Sequence, residues 1–359
     1  MNRIVIFLGC HGHGSGAERV LEYLLAGAVG RRDEICLLSP SSSSVTTCAR
    51  DLGYEWIPWI SGKDGMIQNL RAYRRLTQHE GRVPPGSLVH AWHTRGFEWA
   101  VFLGRKWNVP CSGTLHDDPD PSHGQFGWLR KKIIRRSAAR LDGVAVVSEA
   151  VALRCKELGW KRDVAILRNG LPDAPLPRRD PARTLRLGFM ATSLRWKGIG
   201  MLPDLIQRTA DLPLEWNLFG SRAETGDTLD RLTAMPRVRY FGHVPLDEAL
   251  KHVDVMLHLS LNLDPYPTVL LEAARAGIPA IATTTGGSPE IVSDGSTGIL
   301  VPPGDGHALE TAIRRMARDA QERHAMGAAA RERYRTRFRV EHMVAHYFAF
   351  WNRLRDPQS

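Results

Sequence analysis

The residue types best suited to chemistry cluster in the second half of this 359-residue sequence. Glu272 is a carboxylate, an acceptor-only group that can take two hydrogen bonds from a pair of adjacent hydroxyls, as on a ribose; it could equally be a solvated acid near a helix start. Arg195 and Lys197, in TSLRWKGIG, are cations that would neutralise a phosphate, or are simply hydrated on a loop. Gly286-Gly287 precedes Ser288-Pro289-Glu290, a good helix start. Glycines there let the backbone approach a phosphate, with amide dipoles behind them; the plainer reading is a tight turn. In the first half, Gly12, Gly14 and Ala17 fit a loose GxGxxA fingerprint ahead of Glu18 and Arg19. A dinucleotide site also needs an acid closing the second strand. That strand ends Leu37-Leu38-Ser39-Pro40, without one, which argues against a dehydrogenase. His90 and His93 are three apart but lack further metal ligands and read as polar loop groups. His116 closes the run Ser112–Leu115, as a ligand contact or a loop cap.

The elements that must hold these groups alternate strand and helix. Strands are predicted at Ile4–Leu8, Ile35–Leu38, Leu88–Trp92, Ser112–Leu115 and Val144–Val147, with helices at Gly16–Gly27 and Phe97–Lys106 between them. The stretch LPDAPLPRRDPAR after Asn169-Gly170 reads as a linker. Alternation resumes with Leu185–Met190, Leu214–Phe219, Val238–Phe241, Val255–Leu259, Ile278–Thr283 and Gly298–Val301. The fold class expected is α/β, two facing Rossmann-like domains, residues 1–172 and 184–335, with a ligand cleft between them. Residues 336–359 are expected to form a helix packing back on the first domain, its apolar and aromatic face running from Glu341 to Arg353.

The longest motif is DPYPTVLLEAARAGIPAIATTTGGSPEIVSDGSTGILVPPGD, Asp264 to Asp305. It resembles the donor-binding half of the family 4 (group 1) retaining glycosyltransferases of the GT-B fold. The matches are Glu272-Ala273, Ala276-Gly277, Pro279, Gly286-Gly287, Pro289-Glu290 and Thr297-Gly298-Ile299-Leu300-Val301. Lys197-Gly198, Ser148-Glu149, Asn169-Gly170 and the glycine-rich loop before Glu18 extend the likeness. The resemblance implies transfer of a sugar from a nucleotide-diphosphate donor such as a UDP- or GDP-sugar to a hydroxyl acceptor, with retention and without metal or other cofactor. It implies Glu272 on the ribose, with Leu271, Gly286, Gly287, Gly14 and Gly16 also on the donor. It implies Asp264 and His116 at the sugar or acceptor, and Lys197 and Arg195 on the departing diphosphate; apart from the resemblance, one of the loop groups His90 and His93 is expected near the acceptor. The chain departs from the family at Asp264 (usually Glu), at Pro265 and Pro267 (usually glycines), and at Ala191 (usually Arg). These departures leave sugar identity open and keep a non-catalytic nucleotide-sugar-binding protein in play. A sugar-nucleotide epimerase or a phosphorylase is a further alternative on the same fold.

The formal charge of +10 favours anionic partners. A nucleic-acid binder would account for it but not for the motifs. Five scattered cysteines without CxxC spacing suggest free thiols in a reducing compartment. Ile4–Leu8 is too short for a signal peptide, and the expected location is the cytoplasm, at the inner face of the membrane. Trp128–Arg140, WLRKKIIRRSAAR, is either a basic amphipathic helix lying on an anionic membrane or a solvated surface helix. The first reading suits a carbohydrate or lipid-linked acceptor in surface polysaccharide, lipopolysaccharide or glycoconjugate synthesis.

Overall fold

A computed structural model describes residues 3–8, 15–59, 86–120, 127–177, 184–190, 194–222 and 225–356, without the side chains of 127 and 128. Gly12, Gly14 and Ala191 lie outside the described residues. The chain divides into two compact units, Met1–Pro172 with Val340–Ser359, and Asp173–Arg339.

The first unit is built on β1 (Ile4–Phe7), β2 (Ile35–Pro40), β3 (Glu55–Trp59), β4 (Leu88–Ala91), β5 (Cys111–Leu115), β6 (Gly143–Val146) and β7 (Ala165–Ile166). They form one parallel sheet in the order β3-β2-β1-β4-β5-β6-β7. Every residue of β1 and β2 is buried, as continuous apolar runs require when helices cover both faces. The helix Gly16–Gly27 starts in a capping box, Ser15 accepting from the Glu18 amide and Glu18 from the Ser15 amide. The C-terminal helix Val340–Arg355 completes this core. Tyr347, Phe348 and Trp351 join Ile4, Leu24, Leu88 and Trp92 in one cluster. Each such side chain contributes about 1.5–3 kcal/mol through burial.

The second unit carries β8 (Leu185–Phe189), β9 (Leu214–Phe219), β10 (Val238–Gly242), β11 (Val255–His258), β12 (Ala280–Thr283) and β13 (Gly298–Val301). Their order, β10-β9-β8-β11-β12-β13, is again parallel. In both sheets the order reverses once, between β1 and β4 and between β8 and β11. Parallel α/β sheets bind ligands at the carboxyl ends of the strands flanking such a reversal.

Two strands lie outside the sequence pattern. β3 carries Pro58 at the sheet edge, where a missing N–H is tolerated. β7 has only two residues. Four of the cysteines, Cys36, Cys48, Cys111 and Cys155, are free. Among the described residues, no helix is long and apolar enough to cross a membrane.

Candidate active site

In the second unit, the segments leaving β8 and β11 meet at the reversal of strand order. After β8, Arg195–Lys197 forms a 3-10 turn closed by Gly198 at φ +88. A side chain at Gly198 would strike the Leu259 backbone, so glycine lets this turn lie against the end of β11. Lys197 then makes an ion pair with Asp264, which is 6% exposed. The same carboxylate oxygen takes His258 Nε2 at 3.1 Å and Ser260 Oγ at 3.4 Å. Burial works to raise the Asp264 carboxyl. The His258 hydrogen bond and charge, with the Lys197 ammonium, outweigh it and hold the group well below the usual carboxylate range. His258 ends β11 and is 3% exposed. No motif singles out His258 or Ser260; the available signal was their polar alternation at the end of an apolar strand. Thr283 Oγ1 donates to the Ser260 carbonyl at 2.7 Å and secures the same corner from β12.

The glycine pair serves this loop directly. Gly286 has φ +53, and a side chain there would overlap the Asp264 backbone; one at Gly287 would meet Pro265 and Tyr266. The Gly287 amide donates to the Asp264 carbonyl at 2.9 Å. The Gly287 amide is thus engaged within the loop. The helix expected behind them, Ser288–Ile291, is a single turn of four residues and adds little dipole. Glu272 is 3% exposed, in the Thr268–Arg275 helix that follows the Asp264 loop. That helix begins four residues before Glu272, earlier than the sequence suggested, since Pro267 can cap but not continue it. Leu271 is fully buried beside Glu272, and Arg195 is exposed.

The first unit gathers a second group of polar side chains at its own reversal point. His90 lies within β4, fully buried, with Nδ1 on Ser112 Oγ at 2.9 Å and Nε2 on Thr114 Oγ1 at 3.1 Å. It is therefore a strand core residue rather than the loop group expected. His93 follows β4 and His116 follows β5, at 8% and 9% exposure. Their rings are 6.1 Å apart, and His116 also packs on Trp92 at 4.7 Å. Burial lowers the pKa of both; His93 and His90 lower His116 further, while Asp117 and Glu18 partly offset the effect on His93. Glu18 stands in the first turn after β1, and Gly16 opens that helix, exposed. Among the described residues, no group of three or more His, Cys, Asp or Glu is arranged to hold a metal ion.

Two family models match the chain, Glycosyltransferase Family 4 over residues 14–174 and Glycosyl transferases group 1 over residues 224–333. The chain is 25% identical over 333 residues to a glycogen synthase of Mycobacterium tuberculosis, covering 83% of this chain and 79% of that one. It is 27% identical over 216 residues to a lipopolysaccharide core biosynthesis glycosyltransferase, LpsD, of Rhizobium meliloti, covering 58% and 62%. In fold it resembles the HepE protein of Anabaena, crystallised with UDP and glucose. There the TM-score is 0.82 at 19% identity, over 97% of this chain and 99% of that one.

Proposed function

The chain belongs to the family 4, group 1 glycosyltransferases, and we propose that it moves a sugar from a UDP- or GDP-sugar to a hydroxyl acceptor with retention at the anomeric carbon. The bond from that carbon to the diphosphate breaks, and the acceptor oxygen bonds on the face the diphosphate leaves. The acceptor proton passes to the departing phosphate, so the protein's work is positioning and charge stabilisation. In this reading Lys197 and Arg195 stabilise the leaving diphosphate. Glu272, beside Leu271, takes the ribose hydroxyls. Asp264 and His116 position the reacting groups. Gly14 and Gly16, the latter opening the Gly16–Gly27 helix, are assigned to the donor phosphates, and Gly286-Gly287 supports the Asp264 loop beside the donor. No cofactor beyond the substrate is invoked.

The observation that carries this reading is the ion pair of Lys197 with buried Asp264 at the β8/β11 reversal, with Glu272 buried in the next helix. Among the named relatives, HepE was crystallised with UDP and glucose, and LpsD acts in lipopolysaccharide core synthesis by name. The first favours a UDP-linked sugar as donor and the second a carbohydrate acceptor; a lipid-linked acceptor at the cytoplasmic face of a membrane is part of the same proposal. Membrane contact through residues 128–140 is supported by Leu129 at 41% and Ile133 at 37% exposure, beside exposed Lys132, Arg135 and Arg136.

Calorimetric titration with UDP, GDP, ADP and their sugar conjugates tests the donor assignment. Micromolar binding of one nucleotide class is expected, weakened about 10- to 100-fold by Glu272→Ala, the worth of a charge-assisted hydrogen-bond pair. Glu272→Gln, which keeps the shape, guards against misfolding. Binding indifferent to both substitutions would overturn the assignment.

A further inference from the structure

A pocket of about 530 Å³ in the first unit is lined by four cations, Arg135, Arg136, Lys161 and Arg162, and by no acid. Trp160 adds an indole wall, and the small side chains of Ala138 and Ala139 line it as well.

Two helix ends assemble this pocket. The helix Gly127–Ala138 carries Arg135 and Arg136 in its last turn and leads toward β6. The helix Glu149–Glu157 leads toward β7. Gly159, at φ +74, stops that second helix. The Gly159 amide donates to the Lys156 carbonyl at 2.9 Å, and the Trp160 amide to the Cys155 carbonyl at 3.0 Å. The left-handed stop redirects the chain so that Trp160, Lys161 and Arg162 share the pocket with the end of the first helix. Arg162 Nη2 then donates to the Asp142 carbonyl at 2.6 Å and ties the two connections together just before β6. Both connections precede their strands, whereas His93 and His116 follow theirs. In a parallel sheet this puts the pocket at the opposite end from those histidines.

Among the described residues, no acid pairs with any of the four cations. The acids close by in sequence have other partners. Glu157 pairs with Arg154, and Asp142 Oδ2 accepts the Cys111 amide at 2.8 Å. A pocket of about 410 Å³ in the second unit makes the contrast. It is lined by Arg314, Arg315 and Arg318, but Asp211 and Glu310 hold Arg314, and Glu322 holds Arg315. Cations in a last helical turn also favour that helix's dipole, which accounts for Arg135 and Arg136. It does not account for Lys161 and Arg162, which arrive from another element. Like charges gathered at one pocket repel, and an anion among them relieves that cost.

We propose that this pocket binds an organic phosphate, its oxygens taken by Arg135, Arg136 and Lys161 and its carbon skeleton packed on Trp160. Guanidinium forks match phosphate oxygens in pairs, and an ammonium adds a compact charge. An indole face packs well on carbon. A carboxylate, with a single charge and two oxygens, satisfies the set less well. A soluble phosphate ester and a phospholipid headgroup present the same chemistry. The site stands apart from the donor reading, since Lys197, Asp264 and Glu272 belong to the second unit.

The test uses the full chain with isotope-labelled tryptophan indoles, followed by nuclear magnetic resonance. Trp160→Phe assigns the Trp160 signal. Glycerol 3-phosphate is the soluble probe, and acetate at equal ionic strength is the control. A saturable Trp160 shift in the millimolar range is expected with the phosphate and none with acetate. Arg135 and Lys161 are exposed, so the fold should tolerate Arg135→Gln combined with Lys161→Gln. That pair should weaken phosphate binding about tenfold and leave nucleotide binding unchanged. Flotation with phosphatidylcholine vesicles, with and without phosphatidylglycerol, distinguishes the sources. Anionic-vesicle binding that falls with Lys161→Gln alone, a residue outside 128–140, assigns the site to a headgroup. A phosphate shift without that dependence assigns it to a soluble ester. Absence of both, an equal response to acetate, or a shift indifferent to the double variant would each overturn the proposal.

Discussion

Lys197 shows how one side chain can carry two duties. In the structure its ammonium neutralises the buried Asp264 carboxylate, and in the proposed reaction it stabilises a departing diphosphate. Lys197→Ala should therefore lower kcat about 10²- to 10³-fold in a donor-turnover assay, as removal of one preorganised stabilising group does elsewhere. A fall of less than threefold would leave Lys197 only its structural pairing. His258 and Ser260 keep part of the Asp264 hydrogen bonding in that variant, so the fold should survive. This network was only half legible beforehand. Asp264 and Lys197 stand in a recognisable motif, whereas His258 becomes visible only when the β11 end and the Asp264 loop fold onto each other.

The turn holding Gly286 and Gly287 acts as an element that supports the Asp264 loop. Its close approach to the Asp264 backbone demands the missing side chains. Gly286→Ala combines a left-handed φ, costing about 1–2 kcal/mol, with a backbone overlap that pushes the Asp264 loop aside. Nucleotide-sugar binding should fall along with thermal stability. Gly295→Ala is the control, because Gly295 shares the positive φ, at +70, but has nothing within 4 Å of the added atom. It should lose comparable stability by calorimetry and keep its binding. Equal binding loss in both variants would mean that the Asp264 contact is irrelevant. Strand and helix spans were readable to within about two residues because their apolar periodicity is local. β3 was not, since its Pro58 is acceptable only at a sheet edge, and edge position is a tertiary fact.

At the scale of the whole molecule, the two units should respond differently to acid. The first buries His90, His93 and His116, all with lowered pKa values, His90 to about 3. Between the ordinary histidine range and that value the unfolded chain binds more protons than the folded one. Stability is thus fully present above about pH 6.5 and is lost as pH falls toward 3. Denaturant unfolding followed at several pH values should show the first unit weakening by a few kcal/mol between about pH 6.5 and 4. His90→Asn should flatten that dependence. A slope unchanged in the variant would mean that His90 titrates normally.

Read alone, the sequence determined the α/β class, the run of strands, and the motif from Asp264 to Asp305 that marks the glycosyltransferase family. Those properties reside in short-range periodicity and in residue spacing along one segment, which survive without a third dimension. The tertiary structure decided which groups share a corner. It decided that Lys197 and His258 meet on one Asp264 oxygen, that the glycine pair presses on that loop, and that His93 and His116 come into ring contact. The reason is the topology of a parallel sheet. Strands distant in sequence lie side by side at the order reversal, and only there do burial and low dielectric convert scattered polar residues into coupled ones.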